Sequence, residues 1–273
     1  MRAMVAPLIP LAIGAVLLAG CAKAVTEIRK SRPLATLEGS EWGPDTPATT
    51  EQFVAFKANG EALRKASQTV PAGAEVQAEA AHPYVSRAAL KLVEGLDVFG
   101  VDPAGRVCLD VGASTGGFTQ VLLERGARHV IAVDVGRDQL DAALKGDPRV
   151  LSLEATDART LTLDQLGGVA PDLVVCDASF ISLEKVLARP LELAAPGAEL
   201  IALFKPQFEV GPKHVGKGGV VKDEAAVDLA KENARAFLAR ASVPVERETG
   251  SPIRGGDGNC EYLFYGAKAV SDQ

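Results

Sequence analysis

Val107-Cys108-Leu109-Asp110-Val111-Gly112-Ala113-Ser114-Thr115-Gly116-Gly117-Phe118-Thr119-Gln120-Val121-Leu122 is the stretch on which the fold turns. An apolar run, Val107 to Val111, stops at a turn of small residues and hands over to an amphipathic pattern whose first turn carries hydroxyls. That order predicts a strand, a tight loop and a helix N-terminus. Glycines there let a ligand rest against bare backbone, and the helix start offers unpaired N–H groups to an anionic group.

Beyond it a second strand, His129 to Val135, ends in Asp134, about 22 residues past Gly112, where a carboxylate can accept bonds from both hydroxyls of a ribose. The spacing departs from the dinucleotide fingerprint, because Ser114 stands two positions after Gly112 and an acid, Asp110, two before it. This pattern favours S-adenosylmethionine over NAD. Further along, strands and helices alternate: helix Thr115–Arg125, helix Asp138–Lys145, strand Val150–Leu153, strand Asp172–Asp177, a helix near Leu183–Ala195, strand Glu199–Phe204, a helix near Asp223–Arg240 and two closing strands. The late segment Cys260–Tyr265 reads as an antiparallel strand. Alternation of this kind predicts an α/β fold, a mostly parallel sheet with helices on both faces. Ligands of such sheets sit at the carboxyl ends of the strands. Asp110, Asp134, Asp157 and Asp177 are expected at that edge, with Lys205 after the fifth strand.

A length of 273 residues with 47% apolar composition suffices for one full α/β core and a small appendage. A net charge of −6 excludes a surface coated in positive potential, so contact with nucleic acid must come from a local patch. Of the four cysteines, Cys108, Cys176 and Cys260 lie in or beside apolar strand patterns and are expected as buried, reduced thiols. Together with Cys21 and the scattered His82, His129 and His214 they offer no metal-ligand spacing. No metal site is expected.

Upstream, Arg2, the apolar run Val5–Leu17 and Leu18-Ala19-Gly20-Cys21 form a charged start, an apolar core and a lipobox, too short for a comfortable membrane span and suited to cleavage and lipid attachment at Cys21. Leu37-Glu38-Gly39-Ser40-Glu41-Trp42-Gly43-Pro44 and Phe53–Gly60 resemble the opening of META-type lipoprotein domains. Leu63–Pro71 with Glu75-Val76 resembles the last hairpin of an S4 RNA-binding domain whose Arg-rich helices do not precede it. Two readings follow: a fusion joined near Phe53 to Glu61, where both patterns share an apolar strand and an Asn-Gly turn, or a genuine exported protein. Residues 1 to about 80 are not expected to form an independent core.

From His82 a helical pattern begins, with Ser86 as its expected cap and with Arg87 and Lys91, four apart, sharing one face. Between Lys205 and Lys222 a Gly- and Lys-rich loop carries Lys213, His214, Lys217 and Lys222 against a lone Glu209. A mobile loop of this kind can grip phosphates without reading sequence. Arg87 and Arg254 are further candidates for phosphate contact.

Ser86–Leu92, Asp110–Phe118, Asp177-Ala178-Ser179-Phe180-Ile181-Ser182-Leu183, Lys205-Pro206-Gln207-Phe208-Glu209, Gly216–Val220 and Ser251-Pro252-Ile253-Arg254-Gly255 resemble the TlyA (hemolysin A) family, ribosomal RNA 2′-O-methyltransferases with an FtsJ-type catalytic domain. The resemblance spans about 82–267 and leaves 268–273 as a tail. Upstream of it stand a lipoprotein-type signal segment (1–21), a META-like fragment (22–60) and an S4 remnant (61–81). It implies a Rossmann-like class I methyltransferase with a seven-stranded sheet, S-adenosylmethionine as cofactor, ribosomal RNA or ribosomal subunits as partner, and a cytoplasmic location unless the lipobox is used. It also implies a catalytic tetrad of Lys91, Asp177, Lys205 and Glu261. The cofactor site implied is Asp110, Gly112, Ser114, Gly116, Gly117 and Phe118 around the methionine end, Asp134 at the ribose, Asp157 at the adenine edge and Asp177 beside the methyl group.

A ribose hydroxyl is a poor nucleophile at neutral pH, so a protein that methylates it must orient the oxygen and help its proton leave. Lys205 is the expected base. A second ammonium, Lys91, would favour its neutral form, while Asp177 and Glu261 would oppose it. In the alternative, Lys205 stays charged, positions the oxygen and leaves deprotonation to solvent. Two other classes are a catalytically idle, membrane-anchored lipoprotein or RNA-binding module keeping the same fold, and a pore former. The latter is disfavoured because no long apolar span follows Cys21.

Overall fold

A computed structural model describes residues 82–270 together with segments 8–10, 54–59, 61–62, 69–71 and 76–80. The lipobox and nearly all of the META-like fragment lie outside the described residues. Chain contacts divide the molecule into two compact units, Met1–Arg87 and Ala88–Gln273.

In the first unit the strands are β1 (Leu8–Pro10), β2 (Val54–Ala58), β3 (Glu61–Ala62), β4 (Thr69–Pro71) and β5 (Val76–Ala80). β1 pairs antiparallel with β4, and β2 lies between β3 and β5 in a three-stranded antiparallel sheet. Asn59, at a φ of 51°, opens the turn from β2 to β3, as an Asn-Gly pair favours.

The second unit runs α1 (Ala89–Phe99), β6 (Val107–Val111), α2 (Gly117–Glu124), β7 (His129–Val133), α3 (Ala142–Lys145), β8 (Val150–Leu153), β9 (Leu173–Cys176), α4 (Leu183–Leu193), β10 (Glu199–Phe204), α5 (Pro206–Glu209), α6 (Glu224–Arg240), β11 (Val245–Gly250) and β12 (Tyr262–Ala267). Seven strands form one sheet in the order β11-β12-β10-β9-β6-β7-β8. All neighbours pair in parallel except β12, which runs antiparallel to both β10 and β11. The chain moves outward from β6 to β8 and then jumps back to β9, so a crevice opens where β6 and β9 diverge.

The strands are apolar on both faces, as strands covered on both sides must be. Leu109, Ile131, Val174, Ala202 and Phe264 point to the side on which α4 and α6 supply Leu187, Leu191, Phe237 and Leu238. Their alternates, such as Val130, Val175, Ile201 and Leu263, face the other way and are equally buried. On that side α1 lies close to β10 and β12: a side chain at Gly95 would set its Cβ 3.2 Å from Ile201 Cγ2 and 3.6 Å from Leu263 Cδ1. One turn earlier on α1 stands Lys91, buried.

Boundaries differ from the sequence expectation in informative ways. Helix α1 starts at Ala89 with Ala88 at its N-cap position, two residues past Ser86, and Lys91 N–H donates to Ala88 C=O in its first turn; Arg87 precedes the helix and so does not share its face with Lys91. The helix expected from Asp138 shrinks to α3, because the Gln139 and Leu140 N–H groups donate to the Glu154 carboxylate and Asp141 caps the single turn through Ala143 N–H. Cys108 and Cys176 are buried thiols, and burial pushes both up to about 12. Cys260 instead is exposed, one residue before Glu261.

Candidate active site

Each strand end delivers what its sequence promised, with one exception. Asp134 directly follows β7, Asp177 follows β9 and Lys205 follows β10. Asp157 comes four residues past β8 and caps a short 3-10 turn, Ala158–Thr160. Asp110 is the exception: it lies inside β6, fully buried beneath the loop, with Oδ2 accepting the Thr119 hydroxyl at 2.7 Å and Oδ1 lacking a protein partner. Burial, more than the nearby Asp177 and Asp134 charges, raises its pKa to about 7 against the pull of the Thr119 bond.

A cavity of roughly 580 Å³ lies above the crevice, with walls from Gly112, Ser114, Asp134, Val135, Asp157 and the segment Asp177–Ile181. The loop after β6 comes near enough to the loop after β9 that only glycine fits at 112. Its φ is 83°, and a Cβ would stand 2.7 Å from Ala178 Cα. Asp134 accepts Ser114 N–H at 2.8 Å and Gly136 N–H at 2.7 Å, which aims its carboxylate while leaving lone pairs on both oxygens. Asp157 is gripped by Arg159, whose guanidinium hydrogen bond holds the carboxyl below its usual range. Gly116, Gly117 and Phe118 are not on the cavity wall. Phe118 is core, and Gly116, at a φ of 97°, gives room to Leu140 and Leu144.

At the end of the cavity that Asp177 and Ser179 line, four charged side chains form one chain of contacts. Lys91 Nζ donates to Glu261 Oε2 at 2.6 Å and stands 4.0 Å from Asp177 Oδ1. Asp177 Oδ1 is also 2.6 Å from Lys205 Nζ. Lys205 Nζ further donates to Asp177 C=O at 2.9 Å and to Ser179 Oγ at 2.8 Å. Lys91, Lys205 and Glu261 are buried. Burial of three ionisable groups beside the half-buried Asp177 is tolerable because two cations face two anions, with Lys91–Glu261 and Lys205–Asp177 each at 2.6 Å. Antiparallel β12 makes this possible: Glu261 stands at its start, beside the end of β10, since Tyr262 pairs with Phe204.

Three features escaped the sequence reading. Phe180, at a φ of 65°, is 90% exposed at the cavity mouth and meets Phe208 at 5.1 Å between ring centroids. Glu209 is not a solvated member of the basic loop: it accepts Leu183 N–H at 2.7 Å and ties α5 to the start of α4, and burial raises its pKa to about 7. Ser179 completes the surroundings of Lys205. The unusual φ at Phe180, a non-glycine, is invisible in a sequence, and so is a hydrogen bond spanning 26 residues. Lys213, Lys217, Lys222 and Arg254 are all exposed, and the loop that carries the three lysines is tied down rather than loose. A 3-10 turn covers Pro212–His214, Val215 bridges Val221, and His214 Nδ1 meets Asp223 Oδ2 at 2.9 Å. Among the described residues no group of three or more His, Cys, Asp or Glu is arranged to hold a metal ion.

Comparison with known proteins adds a family. A family model described as FtsJ-like methyltransferase matches residues 84–268. A 16S/23S rRNA (cytidine-2′-O)-methyltransferase, TlyA, of Mycobacterium tuberculosis strain H37Rv is 51% identical over 185 residues, which cover 67% of this chain and 68% of that protein. The 23S rRNA (cytidine-2′-O)-methyltransferase TlyA of Campylobacter jejuni is 41% identical over 184 residues, 67% of this chain and 70% of that one. Among solved structures, a Streptococcus thermophilus protein named for a hemolysin superposes with a TM-score of 0.70 at 36% identity, covering 81% of each chain.

Proposed function

Because the chain belongs to the FtsJ-like methyltransferase family, we propose that it methylates a ribose 2′-hydroxyl of ribosomal RNA, cytidine being the target as in the activities named for its TlyA relatives. The observation that carries this reading is the run Glu261–Lys91–Asp177–Lys205, which opens through Ser179 onto the cavity.

The cavity's residues fit S-adenosylmethionine. Gly112 lines the cavity and lets the loop after β6 close against Ala178, Asp134 keeps lone pairs for ribose hydroxyls, and Asp110 Oδ1 is a buried acceptor in need of a donor. In this reading Ser114 joins Gly112 near the methionine end, Asp157 meets the adenine edge, and Gly116, Gly117 and Phe118 shape the loop from beneath. When bound, S-adenosylmethionine supplies a methyl group already activated by its sulfonium. Lys205 Nζ donates to two oxygens and pairs with the Asp177 carboxylate, surroundings that suit an ammonium and support a positioning role. An incoming ribose hydroxyl takes the place of the Ser179 oxygen against Nζ. Its proton leaves to solvent as the oxygen gains the methyl group. Lys91, clamped by Glu261, and Asp177 keep that ammonium in place.

Ribosomal RNA and this cofactor meet in the cytoplasm, and no helix among the described residues is long and apolar enough to cross a membrane. Residues 61–81 are read as an S4 remnant and 1–21 as a lipoprotein-type signal. That signal favours the second reading, an idle membrane-anchored protein, and palmitate labelling of the full chain in cells tests it. For the enzyme reading, calorimetry with S-adenosylmethionine precedes methyl transfer to ribosomal subunits. Lys205→Ala is expected to retain cofactor affinity and lose about 10²-fold or more in methyl transfer. Near-normal single-turnover methylation by that variant would overturn the tetrad assignment, and a wild-type chain that binds no S-adenosylmethionine would overturn the function.

A further inference from the structure

Asn259 is a buried amide in a polar loop, 2% exposed, and it spends both ends of its side chain on one neighbour. Its Oδ1 accepts Val221 N–H at 2.9 Å, and its Nδ2 donates to Gly219 C=O at 2.9 Å. Gly219 and Val221 belong to the segment that carries Lys213, Lys217 and Lys222, whereas Asn259 stands two residues before Glu261. The same contact is reinforced nearby: Gly219, at a φ of 82°, sits so close to Asp257 that a Cβ there would lie 3.3 Å from the carboxylate. Within the segment, Gly216 N–H donates to Val220 C=O at 3.0 Å and closes the turn that exposes Lys217. Glu261 does not depend on Asn259 for its own place. It is fixed by Lys91 at 2.6 Å and by its backbone carbonyl, which accepts Ser251 N–H at 2.9 Å.

Resting on the ribosomal RNA reading of the site, we infer that Asn259 is a positioning residue that holds the lysine segment 213–222 beside the tetrad as a fixed jaw for RNA phosphates. Lysine ammonium groups bind phosphate as point charges and set the register of a strand without reading its bases. Such a grip helps only if the distance from phosphate to acceptor hydroxyl is constant, because a displacement of about 1 Å at the reacting centre is costly. A tether made of one acceptor and one donor, buried from water and anchored two residues from Glu261, supplies that constancy. A solvated loop with no tether would lose part of its binding free energy to ordering on contact.

The test is steady-state methylation of ribosomal subunits by the full chain, with S-adenosylmethionine affinity by calorimetry as the control. Asn259→Ala is expected to raise KM for subunits about tenfold while cofactor affinity stays within twofold, and the loss sits in KM rather than in kcat. The triple variant Lys213→Ala/Lys217→Ala/Lys222→Ala should raise KM at least as far, and adding Asn259→Ala to it should change nothing more, since Asn259 acts through those lysines. An unchanged KM in Asn259→Ala, a parallel fall in cofactor affinity, or effects that multiply in the combined variant would each overturn the inference. Should Asn259→Ala fail to fold, Asn259→Ser, too short to reach both Val221 N–H and Gly219 C=O, takes its place in both comparisons with the same outcomes, and a wild-type KM in the triple variant also overturns the jaw. A wild-type chain inactive on ribosomal subunits overturns the RNA reading beneath it instead.

Discussion

Asp110 shows how a single residue can be costly to the fold and useful to the site. A carboxyl group in the middle strand of a parallel sheet loses its water, and one hydroxyl from Thr119 does not replace it. Its pKa rises from 3.8 to about 7, so the native state keeps a proton that the unfolded chain releases. The sign follows from linkage: the native state binds more protons between about pH 4 and 7, so stability falls as pH rises through that window and levels off above it. Three units correspond to roughly 4 kcal/mol at the upper end. Asp110→Asn retains an acceptor for Thr119 and removes the ionisation. Thermal melts are expected to show no gain over wild type near pH 4 and a clear gain, several degrees in Tm, at pH 8. A gain in Tm that does not vary with pH would rule out ionisation as its source.

At the scale of elements, the catalytic edge is made of two loops, the one after β9 that carries Asp177 and Ser179, and the one after β10 that begins at Lys205. They are fastened twice, through the Phe180–Phe208 ring pair and through Glu209, which caps α4 at Leu183 N–H. Loss of a helix cap costs about 1 kcal/mol. Glu209→Ala is therefore expected to lower stability by about that amount in urea unfolding. It should reduce methylation by more than the stability change explains, while Glu209→Gln, which keeps an acceptor, should recover most of the activity. Equal activity in Ala and Gln variants would make the clasp irrelevant to catalysis. Neither fastening is legible in the sequence, where Glu209 reads as one acid in a basic loop and Phe180 is one residue of the run Asp177–Leu183. The strands were legible, because runs such as Leu173–Cys176 and Glu199–Phe204 are apolar on both faces and bounded by turn residues. Helix starts were less so. Ser86 has the right chemistry for a cap but α1 begins at Ala89, two residues later than that position requires, and the pattern at Asp138 was diverted by hydrogen bonds to Glu154, fifteen residues from Gln139. The tetrad residues were visible as types and the late strand as antiparallel, yet the order Glu261–Lys91–Asp177–Lys205 needs β12 to pair with β10, Tyr262 opposite Phe204, a pairing that local pattern does not contain.

For the whole molecule the relevant quantity is charge, since a chain of net charge −6 must engage a polyanion. Long-range attraction cannot supply the contact, so a short-range grip by few cations is required. Lys213, Lys217 and Lys222, on the segment that Asn259 holds, and Arg254 are exposed cations of the compact unit Ala88–Gln273. If each neutralises one phosphate, the logarithm of affinity for ribosomal RNA should fall with the logarithm of salt concentration with a slope of roughly −3 to −4. Cofactor affinity should be nearly flat over the same range. The Lys213→Ala/Lys217→Ala/Lys222→Ala variant should bring the slope close to −1, leaving Arg254. Measured on the full chain and on residues 82–273, the slope also reports what the first 81 residues add. An S4 remnant that still touches RNA gives the full chain the steeper line, whereas coincident lines assign the whole electrostatic grip to the methyltransferase unit. A slope near zero in both would remove the basic edge from the interface and leave shape alone to hold the substrate.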